Sequence, residues 1–184
     1  MKHAIDDGHS AVCGTCIHNF FAAYSPIAGD PQNTAVAKRL IEGAGLTEQL
    51  PAPESLVSSA KQFFTWLAEG HPGDGEPMKE VPFFFNSNGT AALANLLVSG
   101  QTARGEMDLV WVTNREKKRC ILVDYKSYHG NPDLDSANEE VRKHYQGYAS
   151  QLLAYKSALE AAHWTVEDIF VYYFVQGRVV KFVF

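Results

Sequence analysis

The spacing of apolar residues changes once along this chain, and that change most constrains the fold. Before about residue 75 the apolar residues recur every three or four positions, as they do in amphipathic helices. After it, short β-branched and aromatic runs between turn residues indicate strands. A later stripe at helical spacing separates the first strands from the last two: Tyr145, Tyr148, Leu152, Tyr155 and Leu159. A helix between strands favours a crossover connection, so the sequence predicts an α/β sandwich with a mixed sheet.

The individual elements follow from these periods and from the turn residues between them. The predicted helices span 10–24, 34–44, 54–69 and 138–162. The predicted strands span 80–85, 95–99, 106–112, 120–126, 169–175 and 178–184. Ser10 is expected to cap the first helix, and Pro82 places the first strand at a sheet edge or at a strand start. We interpret 1–184 as one domain, mainly helical to about residue 75 and a sheet core from about 76.

The composition narrows the class of protein. Hydrophobic residues make up 46% of the chain and charged residues 20%, which excludes disorder for most of its length. No apolar run reaches the roughly 18 residues that span a bilayer, and the start MKHAIDDGHS lacks a signal-peptide apolar segment. Three cysteines, an odd number, argue for a reducing compartment. We therefore expect a soluble, cytoplasmic protein.

Charge by itself does not identify a partner. The formal net charge is −5, whereas nucleic-acid-binding domains usually show a basic surface. An acidic excess is also expected where carboxylates gather around a divalent cation. The local distribution of acidic residues therefore carries more information than the total.

The apolar run 120–123 ends in Asp124-Tyr125-Lys126. Alternation along a strand places Asp124 and Lys126 on one face, about 7 Å apart, with Tyr125 on the other. Asp108 lies in the middle of the preceding hairpin strand and is expected beside Asp124. Two carboxylates can hold Mg²⁺ while a lysine orients or deprotonates water. The alternative is a partly buried structural ion pair between Lys126 and either aspartate.

Two other patterns carry no site in our interpretation, and two common catalytic or nucleotide-binding motifs are absent. Glu116-Lys117-Lys118 repeats the acid-x-lysine spacing in a charged hairpin tip, where a solvated turn explains it. Cys13 and Cys16 with Cys120 are too few for a four-cysteine iron–sulfur cluster, so we expect none. The chain also lacks a phosphate-binding loop of the G-x-x-x-x-G-K-[ST] type and a G-x-S-x-G elbow.

Four segments together resemble the PD-(D/E)xK nucleases, specifically the RecB-like branch that includes the C-terminal nuclease domains of AddA and RecB helicase–nucleases. They are GTCIH, GEMDLV, LVDYKS and YQGYASQLLAY, in that order along the chain. The first is similar to the family's G-T-x-x-H segment. The resemblance implies a restriction-endonuclease-like fold, in which helices flank a mixed central sheet, with an N-terminal helical segment.

The resemblance also implies roles for individual residues. The implied metal ligands are His18, Asp108, Asp124 and the carbonyl of Tyr125. Imidazole with two carboxylates suits Mg²⁺ or Mn²⁺, and the imidazole favours Mn²⁺. Lys126 corresponds to the catalytic lysine, and Gln151 and Tyr155 are expected to face the site and contact water or the DNA backbone.

Two further acids have less defined roles. Glu80 matches an acidic residue often found before the first strand of the family. Glu106 shares a face with Asp108 and would join the site only if strand twist or a bulge turned it inward.

The resemblance implies a metal-dependent DNA exonuclease domain that acts on single strands. Its expected partners are DNA and helicase domains of the same or another polypeptide, as in DNA end processing and recombinational repair, with no membrane. Two alternatives stay open: a catalytically inactive nuclease fold that serves as a DNA-binding or scaffold module, and a metal-dependent hydrolase of another phosphate ester.

Overall fold

The computed structural model describes residues 7–74, 77–86, 102–127 and 139–184. Its elements in chain order are α1 (Asp7–Ala23), α2 (Asp30–Gly43), α3 (Pro53–Gly70), β1 (Pro77–Asn86), β2 (Thr102–Asn114), β3 (Arg119–Lys126), α4 (Glu139–Ala161), β4 (Thr165–Tyr173) and β5 (Arg178–Phe182). They form two compact units. The helical unit holds α1 to α3 with the end of β3 from Tyr125, and the sheet unit holds the other strands and α4.

The predicted elements are confirmed with shifted ends, and the strand predicted at 95–99 lies outside the described residues. The cap predicted at Ser10 is wrong, because α1 already begins at Asp7. Helix α2 begins at Asp30, four residues before the predicted start. Pro31 sits in the first turn of α2, where its missing N–H has no helical partner to lose. None of the described helices is long and apolar enough to cross a membrane.

Aromatic rings form the core of the helical unit, and Tyr125 from β3 lies among them. The Tyr125 ring is 5.2 Å from that of Phe21 and 5.9 Å from that of Phe63, centroid to centroid. Phe21 comes from α1 and Phe63 from α3, so both helices contact the same tyrosine. Such offset ring contacts add stability beyond burial alone. Tyr125 is therefore part of the aromatic core of the helical unit.

Helix α1 approaches the end of β3 closely at Gly14. A Cβ atom on Gly14 would lie 2.7 Å from Oγ and 3.0 Å from Cβ of Ser127. Both distances are shorter than side chains tolerate without moving. A glycine is required here for proximity, even though glycine is a poor helix former.

The sheet has the strand order β1-β2-β3-β4-β5. The pairs β1–β2, β2–β3 and β4–β5 are antiparallel. β3 and β4 are joined through α4, the crossover that parallel neighbours need. Their starting ends lie side by side, since the Thr165 N–H donates to the Lys118 carbonyl at 2.7 Å. The predicted α/β fold with a mixed central sheet is confirmed, and among the described strands β1, which contains Pro82, lies at an edge.

The centre of the sheet is its most apolar part. β3 is buried from Cys120 to Tyr125, and the last five residues of β4 are also buried. Helix α4 packs against β4 and β1, with Leu152, Tyr155 and Leu159 of the predicted stripe buried. Tyr145 and Tyr148 of the same stripe are half-buried. Among the described residues of the sheet, Asp108 and Asp124 are charged and yet buried.

We expect Gly14→Ala to destabilise the protein by about 1–3 kcal/mol, because its methyl group would overlap Ser127. The double variant Gly14→Ala/Ser127→Gly should recover most of that loss, measured by denaturant unfolding.

The matched control is Gly147→Ala in α4, where an added Cβ meets nothing within 4 Å. This substitution should stabilise the fold by about 0.5–1 kcal/mol through helix propensity. A stabilising Gly14→Ala would contradict the close approach of α1 and β3.

Candidate metal centre

The register of β1 and β2 places two acidic residues opposite each other. The ladder pairs on either side are Lys79 with Leu109 and Val81 with Met107. Glu80 of β1 is thus at the level of Asp108 of β2. An oxygen of each carboxylate lies within 4.8 Å of the other.

The register of β2 and β3 extends this line to a third acid. Leu109 pairs with Val123, so one residue further along the antiparallel ladder Asp108 is opposite Asp124. This is the neighbourhood that the hairpin pattern predicted for the two aspartates. Three adjacent strands therefore each contribute a carboxylate at one level of the sheet.

Burial makes this line of carboxylates chemically significant. Asp108 is 7% exposed and Asp124 only 1% exposed, and Glu80 is half-buried. An ionised carboxylate in such a place needs compensating positive charge or hydrogen bonds. Mg²⁺ takes oxygen ligands at about 2.1 Å, so two ligands on opposite sides of it are about 4 Å apart. The donor type and the spacing of Glu80 and Asp108 fit a hard divalent cation.

Tyr155 on α4 lies in the electrostatic field of all three acids. The pKa of Tyr155 is raised to about 12, chiefly by burial and further by the negative charges of Asp124, Asp108 and Glu80. The hydrogen bond from Gln151 lowers the pKa of Tyr155. Gln151 Nε2 donates to the Tyr155 hydroxyl at 2.5 Å. The structure thus brings Gln151 and Tyr155 to the acidic side chains of the sheet, with the phenol protonated at neutral pH.

The Tyr155 ring has a fixed neighbour on β1. The ring of Phe83 meets it edge to face at a centroid distance of 5.0 Å. Phe83 in turn crosses Gly105, where an added Cβ would lie 2.8 Å from the phenylalanine ring. The absence of a side chain at Gly105 makes room for the ring that orients Tyr155.

The other predicted site residues belong to the helical unit. His18 is half-buried on α1, and its ring meets that of Tyr125 edge to face at 6.0 Å. Lys126 is half-buried and follows Asp124 by two positions in β3. Within this unit, the imidazole is thus placed next to the residue that separates Asp124 from Lys126.

Glu106 and Glu80 differ in their surroundings. Glu106 is exposed, and its ladder partner is Pro82. Glu80 is the acid that faces Asp108, and this was not visible in the sequence, where β1 was predicted to begin at residue 80. β1 begins at Pro77, and a strand pattern in the three residues before Glu80 would have been needed to predict that Glu80 lies inside the strand.

The three cysteines are free and buried. Burial raises the pKa of Cys13 and Cys16, and it raises the pKa of Cys120 to about 12. Thiols that keep their protons are poor nucleophiles and poor metal ligands. The cysteines therefore behave as small apolar residues.

Comparison with protein families agrees with this geometry. The family model of the PD-(D/E)XK nuclease superfamily matches residues 3–182. The chain belongs to the PD-(D/E)XK nuclease superfamily, and its five-stranded mixed sheet is that of the restriction-endonuclease-like fold. No curated protein matches the sequence. Membership supports metal-dependent phosphodiester hydrolysis on a nucleic-acid substrate, since nucleases of this superfamily use divalent cations.

The pKa of Tyr155 can be measured by following tyrosinate absorbance in an alkaline titration. The titration curve of Tyr155→Phe is subtracted from that of wild type to isolate the signal of Tyr155. We expect a midpoint near pH 12 for Tyr155. Because its folded pKa lies above the ordinary value of about 10, the folded state loses stability as the pH rises from about 10 toward 12. Tyr155→Phe should accordingly unfold at higher pH than wild type.

Asp108→Asn should lower the pKa of Tyr155 by removing one of the three charges. The control is Tyr172, whose pKa is raised to about 12 by burial alone. Its titration should stay the same in Asp108→Asn. An unchanged Tyr155 midpoint in that variant would contradict the shared field.

Proposed function

We propose that this chain is a metal-dependent DNA exonuclease domain of the RecB-like branch. The observation that supports this most strongly is the line of carboxylates Glu80, Asp108 and Asp124 across three neighbouring strands, the two aspartates buried, with Tyr155 in their field. Burying carboxylates lowers the stability of a fold, and a bound cation would offset their charge.

We propose His18, Asp108, Asp124 and the carbonyl of Tyr125 as the metal ligands, with Glu80 as a further one. A set of one imidazole nitrogen and several carboxylate oxygens would suit Mn²⁺ as well as Mg²⁺. The contact of the His18 ring with Tyr125, directly after Asp124, supports the role of His18. A bound cation would polarise a phosphoryl oxygen and make water more acidic.

Lys126 is proposed as the catalytic lysine. Lys126 follows Asp124 by two residues in β3, the spacing that strand alternation assigns to one face. From there it can orient or deprotonate the attacking water and offset the negative charge that builds on the phosphorus. An ion pair that served the fold alone would do neither.

Gln151 and Tyr155 are proposed to hold the water or the DNA backbone. A phenol with a pKa of about 12 keeps its proton at neutral pH, so its hydroxyl can donate to a phosphate oxygen. The amide of Gln151 fixes the direction of that hydroxyl through the 2.5 Å hydrogen bond. Both residues lie one helical turn apart on α4, which keeps them together.

We propose single-stranded DNA, delivered by helicase domains of the same or a partner polypeptide, as the substrate. The net charge of −5 supports this division of work, because phosphate binding depends on basic residues. A partner motor would then supply most of the grip on DNA, and this chain the hydrolysis, as DNA end processing requires.

Lys126→Ala should reduce cleavage by about 10²–10⁴-fold while cation binding persists, since the lysine acts on the reaction and not on the metal. The assay is degradation of linear single-stranded DNA with Mg²⁺ or Mn²⁺, and plasmid nicking reports any endonuclease activity separately. Circular single-stranded DNA should resist, as it offers an exonuclease no end.

Lys118→Ala is the matched control, since Glu116-Lys117-Lys118 has the same spacing on the exposed hairpin tip. It should cleave like wild type. Equal activity of wild type and Lys126→Ala would refute the mechanism. Hydrolysis of small phosphate esters without DNA cleavage would indicate the other hydrolase, and DNA binding without any hydrolysis an inactive module.

Asp108→Ala should weaken Mn²⁺ binding by at least about tenfold, because it removes a buried oxygen ligand. Isothermal titration calorimetry measures this directly. Glu106→Ala, on the same strand but exposed, should bind Mn²⁺ like wild type. Equal weakening in both variants would show a diffuse charge effect and no specific centre.

A further inference from the structure

The backbone of Glu80 is unusual for its place in the fold. Three described residues other than glycine have a positive φ: Glu80 at 48°, Lys118 at 50° and His163 at 65°. Lys118 and His163 lie in turns, whereas Glu80 lies inside a strand. The left-handed region is unfavourable for side chains with a Cβ, and it is rarely occupied within strands.

The ladder is interrupted at the same residue. The pairs Lys79–Leu109 and Val81–Met107 are formed on either side, and Glu80 with Asp108 is left out of the series. The register nevertheless continues without a shift across this point. The distortion is therefore confined to one residue of an edge strand and does not alter the rest of the pairing.

Charge adds to the strain at this point. The carboxylate of Glu80 lies within 4.8 Å of that of Asp108, which is buried. Like charges this close repel, and the ammonium of Lys79, which also interacts with Glu80, offsets part of this repulsion. Strained backbone of this kind persists where its surroundings enforce it, and it is concentrated at functional sites.

We infer that Glu80 destabilises the metal-free protein through both its left-handed backbone and its charge, and that a bound cation offsets this, so that order in the edge strand β1 is coupled to cation binding. The coupling rests on the metal centre proposed above, and the strain in the metal-free protein does not.

Two substitutions of Glu80, both measured in EDTA, separate the effect of its charge from that of its left-handed backbone. Glu80→Gln removes the charge and keeps the backbone requirement, so it should raise Tm above that of wild type. Glu80→Gly also permits the positive φ and should raise Tm a further 2–4 °C, roughly the change expected from relieving one such residue. Mn²⁺ should then raise the Tm of wild type more than that of either variant.

Lys118→Gly is the control for backbone relief away from the acids, since Lys118 has nearly the same φ in an exposed turn. It should raise Tm in EDTA and leave the Mn²⁺-induced rise equal to that of wild type. Hydrogen exchange at the amides of β1 provides a second measurement, with faster exchange in EDTA than in Mn²⁺ for wild type alone.

The outcomes distinguish this inference from the proposed function. A Glu80→Gly protein no more stable in EDTA than Glu80→Gln would overturn the backbone strain, even if Mn²⁺ stabilised wild type. A Tm of wild type that did not respond to Mn²⁺, with the gain of Glu80→Gly intact, would overturn the metal centre and its coupling and leave the strain established.

Discussion

The close packing of carboxylates in an apolar sheet is the constraint on which the rest of this structure depends. Asp108 and Asp124 lie in β2 and β3, where the residues next to them in sequence are buried and hydrophobic. Carboxylates at opposed buried positions repel each other more strongly than they would in water. Tyr155 lies in the field of these carboxylates and accepts a hydrogen bond from Gln151. Gly105 leaves room for the Phe83 ring, which contacts Tyr155. A sheet selected for stability alone would place aliphatic residues at these positions.

Much of this arrangement could be predicted because it rests on local periodicity. The stripe from Tyr145 to Leu159 fixes α4, and a run of aliphatic residues before Asp124 fixes β3. The short hairpin between β2 and β3 brings Asp108 opposite Asp124, since its register depends on the turn. The family comparison then identifies the chain as a nuclease, which local pattern alone left open against a structural ion pair.

Other features depend on contacts between distant segments and were not predictable. The residues that join β1 to β2 give no register, so nothing in the sequence aligned Glu80 with Asp108. The start of α2 was misplaced because Pro31 and Gly29 read as breakers, yet they open a helix. Likewise, the residues around Gly14 do not explain why a glycine is needed there. The reason is the close contact with Ser127, which lies more than a hundred residues away in the sequence.

Successive residues of β3 serve opposite sides of the strand. Asp124 belongs with the acids of the sheet, and Tyr125 is packed among Phe21, Phe63 and His18. A deletion or insertion of a single residue within this strand would exchange them, setting a phenol ring among the acids and a charge among aromatic rings. Related chains can therefore vary in length at the exposed tip between β2 and β3, whereas the count of residues from that tip to the aspartate must stay constant.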